Sequence, residues 1–382
     1  MTNAPMTSHR ALRLGSITVD PPVVLAPMAG VTNRAFRNLC RRFGGALLVG
    51  EMVNARGLVE GSKRSFELAA FDADESTRSL QLYGTDPQTI GEAVKIVADR
   101  GADHVDLNFG CPVRKVTRHG GGAAVPARPR LLAAIVAAAV KAGEPFGVPI
   151  TIKMRMGIDD ERMTFLTAGR AAADEGAAWV ALHSRTAEQY YSGQARWDGI
   201  AELVAALPHT PVLGNGDIWS AADALRMQAE TGCAGVVVGR GCLGRPWFFG
   251  DLQAAYAGLD RPAPPTVGQV ATLIVDHANM LAEHQSPFHA ILAIRKHIGW
   301  YFTGYPVGGA ARRRLVESAT IDELIERLAE LDGAITLPDQ EVDRPRGNSR
   351  GPHSITLPYG WLSADADSPP EHEDADMALS GG

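Results

Sequence analysis

Cysteine is scarce. Four residues in 382 (Cys40, Cys111, Cys233 and Cys242) show no CxxC pair and no regular spacing. That pattern excludes a disulfide scaffold and a zinc cluster, so no metal site is expected, and it fits a reducing compartment. Long hydrophobic runs are also missing. No stretch of 18 uncharged apolar residues occurs, and LLAAIVAAAV (131–140), only ten residues long, reads as a buried helix rather than a membrane span. The opening MTNAPMTSHRALRLG lacks the apolar segment of a secretory signal. A cytoplasmic protein with no membrane partner is the expectation. An excess of one charge is absent from most of the chain. The net charge of −6 lies wholly in 337–382, with nine acids against three bases, so residues 1–336 balance. A neutral body can still carry a basic face, so nucleic acid is not excluded as a partner.

What is present is a long alternation. Short β-branched runs stand at 23–27, 46–51, 79–84, 104–110, 149–155, 178–184, 211–216 and 235–240. They read as continuously apolar, as expected of strands buried on both faces. Amphipathic stretches lie between most of them, for example 33–43, 86–100 and 161–176. Asp86-Pro87 before a helix and Gly101 after it are typical punctuation. Eight strand–helix units of roughly 30 residues match a (β/α)8 TIM barrel better than an open doubly wound sheet, whose Gly-rich first turn is missing. The predicted organisation is an α/β barrel over 12–250, a helical domain over 251–336 entered through DRPAPP (260–265), and a largely disordered acidic tail over 337–382. Within that tail ITLPYGWL (355–362) is the one stretch suited to docking.

Active sites of such barrels form at the C-terminal ends of the strands. Here those ends carry Pro27-Met28-Ala29, Glu51, Gln81, Asn108 with Cys111, Lys153 with Arg155, His183, Asn215 with Asp217, and Gly239-Arg240. GNGD after the seventh strand and GRG after the eighth have the position and backbone of a barrel phosphate site. Lys153, inside an apolar strand, needs an anionic or carbonyl partner. It suits either a Schiff-base lysine or a cation beside a flavin N1–C2 carbonyl. Cys111 lies on a loop with Arg114, Lys115, Arg118 and His119 close behind, surroundings that favour thiolate or proton-transfer chemistry.

Taken together, these residues closely resemble the tRNA-dihydrouridine synthase family, most like its bacterial B type. The resemblance rests on APMAGVTNRAFR (26–37), QLYG (81–84), LNFGCPVRKV (107–116), KMRMG (153–157), HSRT (183–186), GNGDI (214–218) and GRGCLGRPWFF (239–249), in the family's order. RKHIGWY (295–301) is similar to part of its tRNA-binding domain. The resemblance covers roughly 12–335 and implies an oxidoreductase that uses FMN and NADPH (or NADH) to reduce uridine in tRNA. FMN would contact Pro27, Met28, Ala29, Gln81, Lys153 and His183, with Asn215, Gly216, Asp217, Gly239 and Arg240 around its phosphate. Hydride would pass from flavin N5 to C6 of uracil, and Cys111 would deliver a proton to C5. Glu51, Asn108, Arg155 and Arg185 are further candidates for the uridine pocket or its surroundings. Two basic groups are candidates for tRNA: Arg34, Arg37, Arg41 and Arg42 on one helix, and Arg295, Lys296, Arg312, Arg313 and Arg314, in a stretch (291–316) without any acid. Whether Tyr83, Tyr190 or Tyr191 stacks on the base is left open. Ser184, where the family commonly has Gly, and Asn33, where Asp is usual, are departures outside the predicted chemistry. A monomer is expected. Two rivals share parts of this pattern: a small-molecule flavin dehydrogenase acting on free pyrimidines, and a non-catalytic RNA-binding barrel.

Overall fold

The computed structural model describes residues 10–347 and 351–363. Ten strands are present among them: β1 (Leu12–Leu14), β2 (Ile17–Val19), β3 (Val23–Leu25), β4 (Leu47–Asn54), β5 (Ser79–Tyr83), β6 (His104–Phe109), β7 (Ile150–Arg155), β8 (Val180–His183), β9 (Val212–Asn215) and β10 (Gly235–Val238). The last eight close into one parallel barrel, β10 pairing with both β9 and β3. Seven fall within their predicted runs, and β4 continues three residues past the predicted end at 51. The antiparallel hairpin β1–β2 was not foreseen. Its Leu12, Leu14 and Val19 pack on Val24, Leu47, Leu213 and Val237, closing the N-terminal end of the barrel.

The reading of the strands as uniformly apolar is corrected here. On β5, β6 and β7 alternate residues face a polar interior. Ser79 and Gln81, His104, Asp106 and Asn108, and Thr151, Lys153 and Arg155 fill one side of it. Leu80, Leu82, Val105, Leu107, Ile150, Ile152 and Met154 face the helices. The other side is filled by Val24, Ala26, Leu47, Val49, Ala181, Leu213 and Val237. A pleated strand sends neighbours to opposite faces, so half of such a barrel can be wet while its outer layer stays dry.

The helices follow their local signals. Asn33 caps helix Arg34–Arg41, accepting from Phe36 N at 3.1 Å, and Asp86 caps Pro87–Asp99, accepting from Thr89 N at 2.7 Å. After β10 one more barrel helix runs Phe248–Tyr256, and the chain crosses 257–266 into helices Val267–His284, Pro287–Tyr301, Gly309–Val316 and Ile321–Ala329. These share a second core (Val270, Ile274, Ile294, Ile298, Leu324), which also takes in Ala35 and Leu39 of the first barrel helix. No helix of the described residues is long and apolar enough to cross a membrane. The tail is more structured than its composition predicts. Leu337, Val342, Arg346 and Trp361 are buried, the last within the stretch expected to dock. The rest of that prediction, at 348–350 and 364–382, lies outside the described residues.

One feature of the second core is energetically costly. His277 and His297 meet edge to face with centroids 4.6 Å apart, beside Phe36, Trp300 and Tyr301. His277 shares a 3.1 Å hydrogen bond with Tyr301, but its Nε2 and both ring nitrogens of His297 have no protein partner among the described residues. Burial, followed for His297 by its histidine neighbour and Lys296, holds both rings neutral; His277 is pushed down to about 3. Each is protonated in the unfolded chain below about pH 6.5, so this stability is complete above that value and is lost as pH falls. At pH 5 the loss is about 2 kcal/mol for His277. His277→Leu is expected to shrink the difference in urea-unfolding free energy between pH 7.5 and pH 5 by about that amount; an unchanged difference would contradict the assignment.

Candidate active site

The C-terminal ends of the strands surround a cavity of about 330 Å³ lined by Pro27, Met28, Gln81, Cys111, Lys153, His183 and Tyr191, among others. A smaller cavity continues from it under Asn215, Gly216, Asp217, Gly239 and Arg240, sharing Pro27, Met28, Lys153, His183, Tyr191 and Arg240. The site is therefore elongated, with a broad chamber and a narrow end. All eleven predicted cofactor residues and Cys111 line one or both parts, as do Asn108 and Arg155.

The floor of the chamber is a chain of buried hydrogen bonds. Asp106 accepts from Thr151 Oγ1 and Gln81 Nε2, both at 2.6 Å. Asn108 donates to Gln81 Oε1 at 2.7 Å, and its own Oδ1 accepts from the backbone N of Cys111 at 2.9 Å. His104 joins Thr151 to Ser79 below. The register explains the reach: Gln81 stands opposite Asp106, which stands opposite Thr151. Burial raises the Asp106 carboxyl to about 6, against the lowering effect of its two donors and of Lys153. Lys153 itself is lowered to about 8, first by burial and then by Arg155. Asp106, Ser79 and Thr151 were missed in the sequence, although polar residues at every second position of HVDLN and TIKMR mark an inward face.

Cys111 is the one cysteine that is not fully buried among four free thiols. Burial of its sulfur raises its pKa, and this outweighs the backbone N–H of Val113, Arg155 and Lys153, which lower it. The thiol is thus protonated at neutral pH in spite of the nearby cations. His183 is held well below its ordinary value by burial and by the cations Arg155, Lys153, Arg185 and Arg240. It is a neutral imidazole. Arg155 is braced by the carbonyls of Gly110 (2.9 Å), Thr186 (2.9 Å) and Tyr190 (2.8 Å).

At the narrow end, Gly216 has φ +131° and no room for a side chain, since a Cβ would lie 2.7 Å from Ala195 Cβ. Asp217, also at positive φ, turns its carboxylate onto Arg185 (2.8 and 2.7 Å) and Ala195 N (2.8 Å). Its side chain therefore shapes the loop. Arg240 lies 3.3 Å from that carboxylate and stacks over Tyr191 and Trp219, 4.5 and 4.9 Å from the ring centroids.

Other candidates lie elsewhere. A bulge in β4 between Val49 and Met52 directs Met52 to the chamber and Glu51 away from it. Glu51 accepts from Gly30 N, Lys296 donates to Gly30 O, and both face a second cavity between barrel and helices. Arg185 is buried against Asp217 and the carbonyls of Ser192 and Gly193, so it braces the loops and does not enter the chamber. Arg295 donates to Ser318 O (2.8 Å) and Arg312 to Tyr305 O (2.6 Å). Arg314 pairs with Glu330 (2.6 Å), while Arg313 is exposed. The first basic group is largely engaged within the chain. Arg37 is buried in a two-pronged pair with Glu75, and Arg34, Arg41 and Arg42 pair with Asp72, Asp74 and Asp276.

Comparison with known proteins follows this geometry. The sequence profile of "Dihydrouridine synthase (Dus)" matches residues 24–336. The chain is 52% identical over 380 residues to a "Probable tRNA-dihydrouridine synthase" of Mycobacterium tuberculosis (strain CDC 1551 / Oshkosh), covering 97% of each. It is 36% identical over 311 residues to the "tRNA-dihydrouridine synthase B" of Xanthomonas axonopodis pv. citri (strain 306), covering 81% of this chain and 92% of that one. In fold it is similar to the histamine dehydrogenase from Rhizobium sp. 4-9, with a TM-score of 0.51 and 11% identity over 85% of this chain and 65% of that one. The chain belongs to the dihydrouridine synthase family.

Proposed function

We propose that this protein is an FMN-dependent oxidoreductase that reduces the C5–C6 double bond of uridines in tRNA to dihydrouridine, with Cys111 as the proton donor. The carrying observation is the free thiol of Cys111 lining a chamber whose floor is polar and whose narrow end carries Arg240. The chamber fits a flat heterocycle with a phosphate tail. Gly216 leaves backbone where a side chain would intrude, Arg240 supplies a fixed charge, and Lys153 and Gln81 offer donors to a ring edge. Pro27, Met28, Ala29, Gln81, Lys153 and His183 would hold the ring, and Asn215, Gly216, Asp217, Gly239 and Arg240 the phosphate end.

FMN held there and reduced by NADPH (or NADH) would supply the hydride for C6 of uracil. The protein does the rest. Hydride addition at C6 builds enolate charge at C5 and O4, which requires an acid at C5. Cys111 delivers that proton, and the backbone bond from its N to Asn108 fixes the loop that carries it. Asn108 and Arg155 border the same chamber and orient the base. Tyr191 lies beside His183 and beneath Arg155 and Arg240, a ring for stacking at the chamber wall. A stacked uridine must leave its RNA to reach this depth. The exposed cation Arg313 and the groove lined by Trp300, Tyr305, Arg312 and Arg344 give the RNA backbone its approach, and Trp300 borders both groove and chamber. The proposal takes the protein to act as a monomer in the cytoplasm. The family's substrate favours this reading over the pyrimidine dehydrogenase and the non-catalytic barrel.

Cys111→Ala is expected to retain flavin and NADPH oxidation while losing dihydrouridine formation on unmodified tRNA by at least about 100-fold, the scale of a lost general acid. Product at the wild-type rate would refute the acid role. In the wild type, the single-turnover rate should stay level through neutral pH and fall only above the ordinary thiol value of about 8.5, because burial moves this thiol upward. A fall below pH 7 with rising pH would contradict a protonated Cys111. For the RNA surface, Arg313→Glu should weaken tRNA binding and reduce the salt slope by about 1, leaving flavin content unchanged. An unaltered affinity and slope would remove this residue from the interface.

A further inference from the structure

The family profile ends at residue 336, yet the segment at 351–363 returns to the mouth of the barrel and touches it at two places. The first anchor is Trp361, 3% exposed. Its Nε1 donates to Ala124 O at 2.9 Å, and its ring lies under Arg128, whose Cζ is 3.8 Å from the centroid. Arg128 Nε donates back to the Trp361 carbonyl at 3.2 Å. Gly120, at φ +80°, lies flat against the indole, and a Cβ there would come within 2.3 Å of the ring. The second anchor is His353. Its backbone N donates to Glu188 O at 2.9 Å, and its ring meets Tyr190 edge on, centroids 5.0 Å apart. Gly351 sits so close to the same loop that a Cβ would lie 2.6 Å from Gln189 O.

Both anchors lead to Cys111. Tyr190 donates through its hydroxyl to Pro112 O at 2.8 Å, one residue past the thiol. On the other side, Ala123 N donates to Cys111 O at 2.9 Å, immediately before the Ala124 carbonyl that Trp361 holds. The Cys111 loop is therefore gripped from two sides by segments that are themselves gripped by the C-terminal strap. The loop's own elements between these points are short: a helix at Arg114–Thr117 and a 3-10 turn at Gly122–Ala127. We infer that residues 351–363 form part of the active-site scaffold, with Trp361 and His353 as positioning residues that hold Cys111 at the chamber. This rests on the reading of Cys111 as proton donor only for its effect on rate. The hold on the loop stands independently of it.

The test uses the FMN-loaded enzyme. Cys40, Cys233 and Cys242 are buried, so iodoacetamide labelling of the native protein reports on Cys111, with Cys111→Ala as the blank. Trp361→Ala should keep its flavin, label about tenfold faster, and reoxidise with saturating unmodified tRNA about tenfold more slowly, with little change in half-saturating tRNA, since small misplacements at a reacting centre act on the rate. Trp361→Phe, which keeps an aromatic ring under Arg128, should recover most of both. A folded Trp361→Ala enzyme with wild-type labelling and wild-type turnover would overturn the inference. If that variant fails to fold, His353→Ala, at an exposed position, carries the same two readouts, and wild-type values for both would overturn it equally. Faster labelling with unchanged turnover would sustain the strap's hold on the loop and refute the acid role of Cys111 instead.

Discussion

A carboxylate inside a protein core must be satisfied completely or it destabilises what surrounds it. Asp106 lies near the middle of the barrel, and the arrangement of the site follows from satisfying it. Thr151 and Gln81 each donate to one of its oxygens, and Lys153 supplies the nearby charge. Committing the Gln81 amide N–H to Asp106 leaves its carbonyl to accept from Asn108. Asn108 is thereby oriented so that its own carbonyl receives the backbone of Cys111. A single buried charge therefore sets the direction of side chains on three strands, and the chain of bonds ends at the backbone of Cys111. In such a chain the members polarise and orient one another, and a change at one end is felt at the other.

The same economy governs the cations. Read along the sequence, the arginines look like a supply of RNA contacts. In the folded chain most have internal work. Arg37 is buried against Glu75 beneath the first barrel helix, Arg185 ties the loops after β8 and β9 through Asp217, and Arg346 closes on the carbonyls of Trp300 and Leu243. A guanidinium has five donors in a fixed fork and suits gathering carbonyls from converging loops. Others border the cavities or the solvent: Lys153, Arg155 and Arg240 line the chamber or its narrow end, and Arg313 is exposed on the helices.

The barrel, its eight strands and the chamber residues were legible in the sequence because each depends on short-range pattern. Strand ends fall where β-branched runs stop, and barrel geometry gathers those ends at one face. Glu51 faces a second cavity instead of the chamber because a bulge in β4 reverses the expected facing, and bulges leave no mark in composition. Asp106 was passed over because the strand was read as apolar, although its alternation was on view. Trp361 lies in the stretch expected to dock, but its partner and that of His353 could not be named from sequence. Their contacts span more than 160 positions of chain, joining residues 353 and 361 to 190 and 124. The acidic, Pro- and Gly-rich composition of the tail describes its average, while the position of one indole decides whether a stretch of it docks.

Charge and burial together account for how one small chamber keeps an acid protonated beside bases. Cations near a thiol normally promote the thiolate. Around Cys111 they do lower the pKa, but loss of water from the sulfur raises it by more. The same dry surroundings lower Lys153 to about 8 and keep His183 neutral. Burial thus opposes ionisation in every group at once, narrowing the gap between a reluctant acid and a reluctant base. A chamber built this way has few spare negative charges, because Asp106 and Asp217 are already committed to partners. On the proposed reading, charge developing on a bound base at O4 would meet Arg155 with little competition from the carboxylates lining the site, and in a buried site that attraction would be weakly screened.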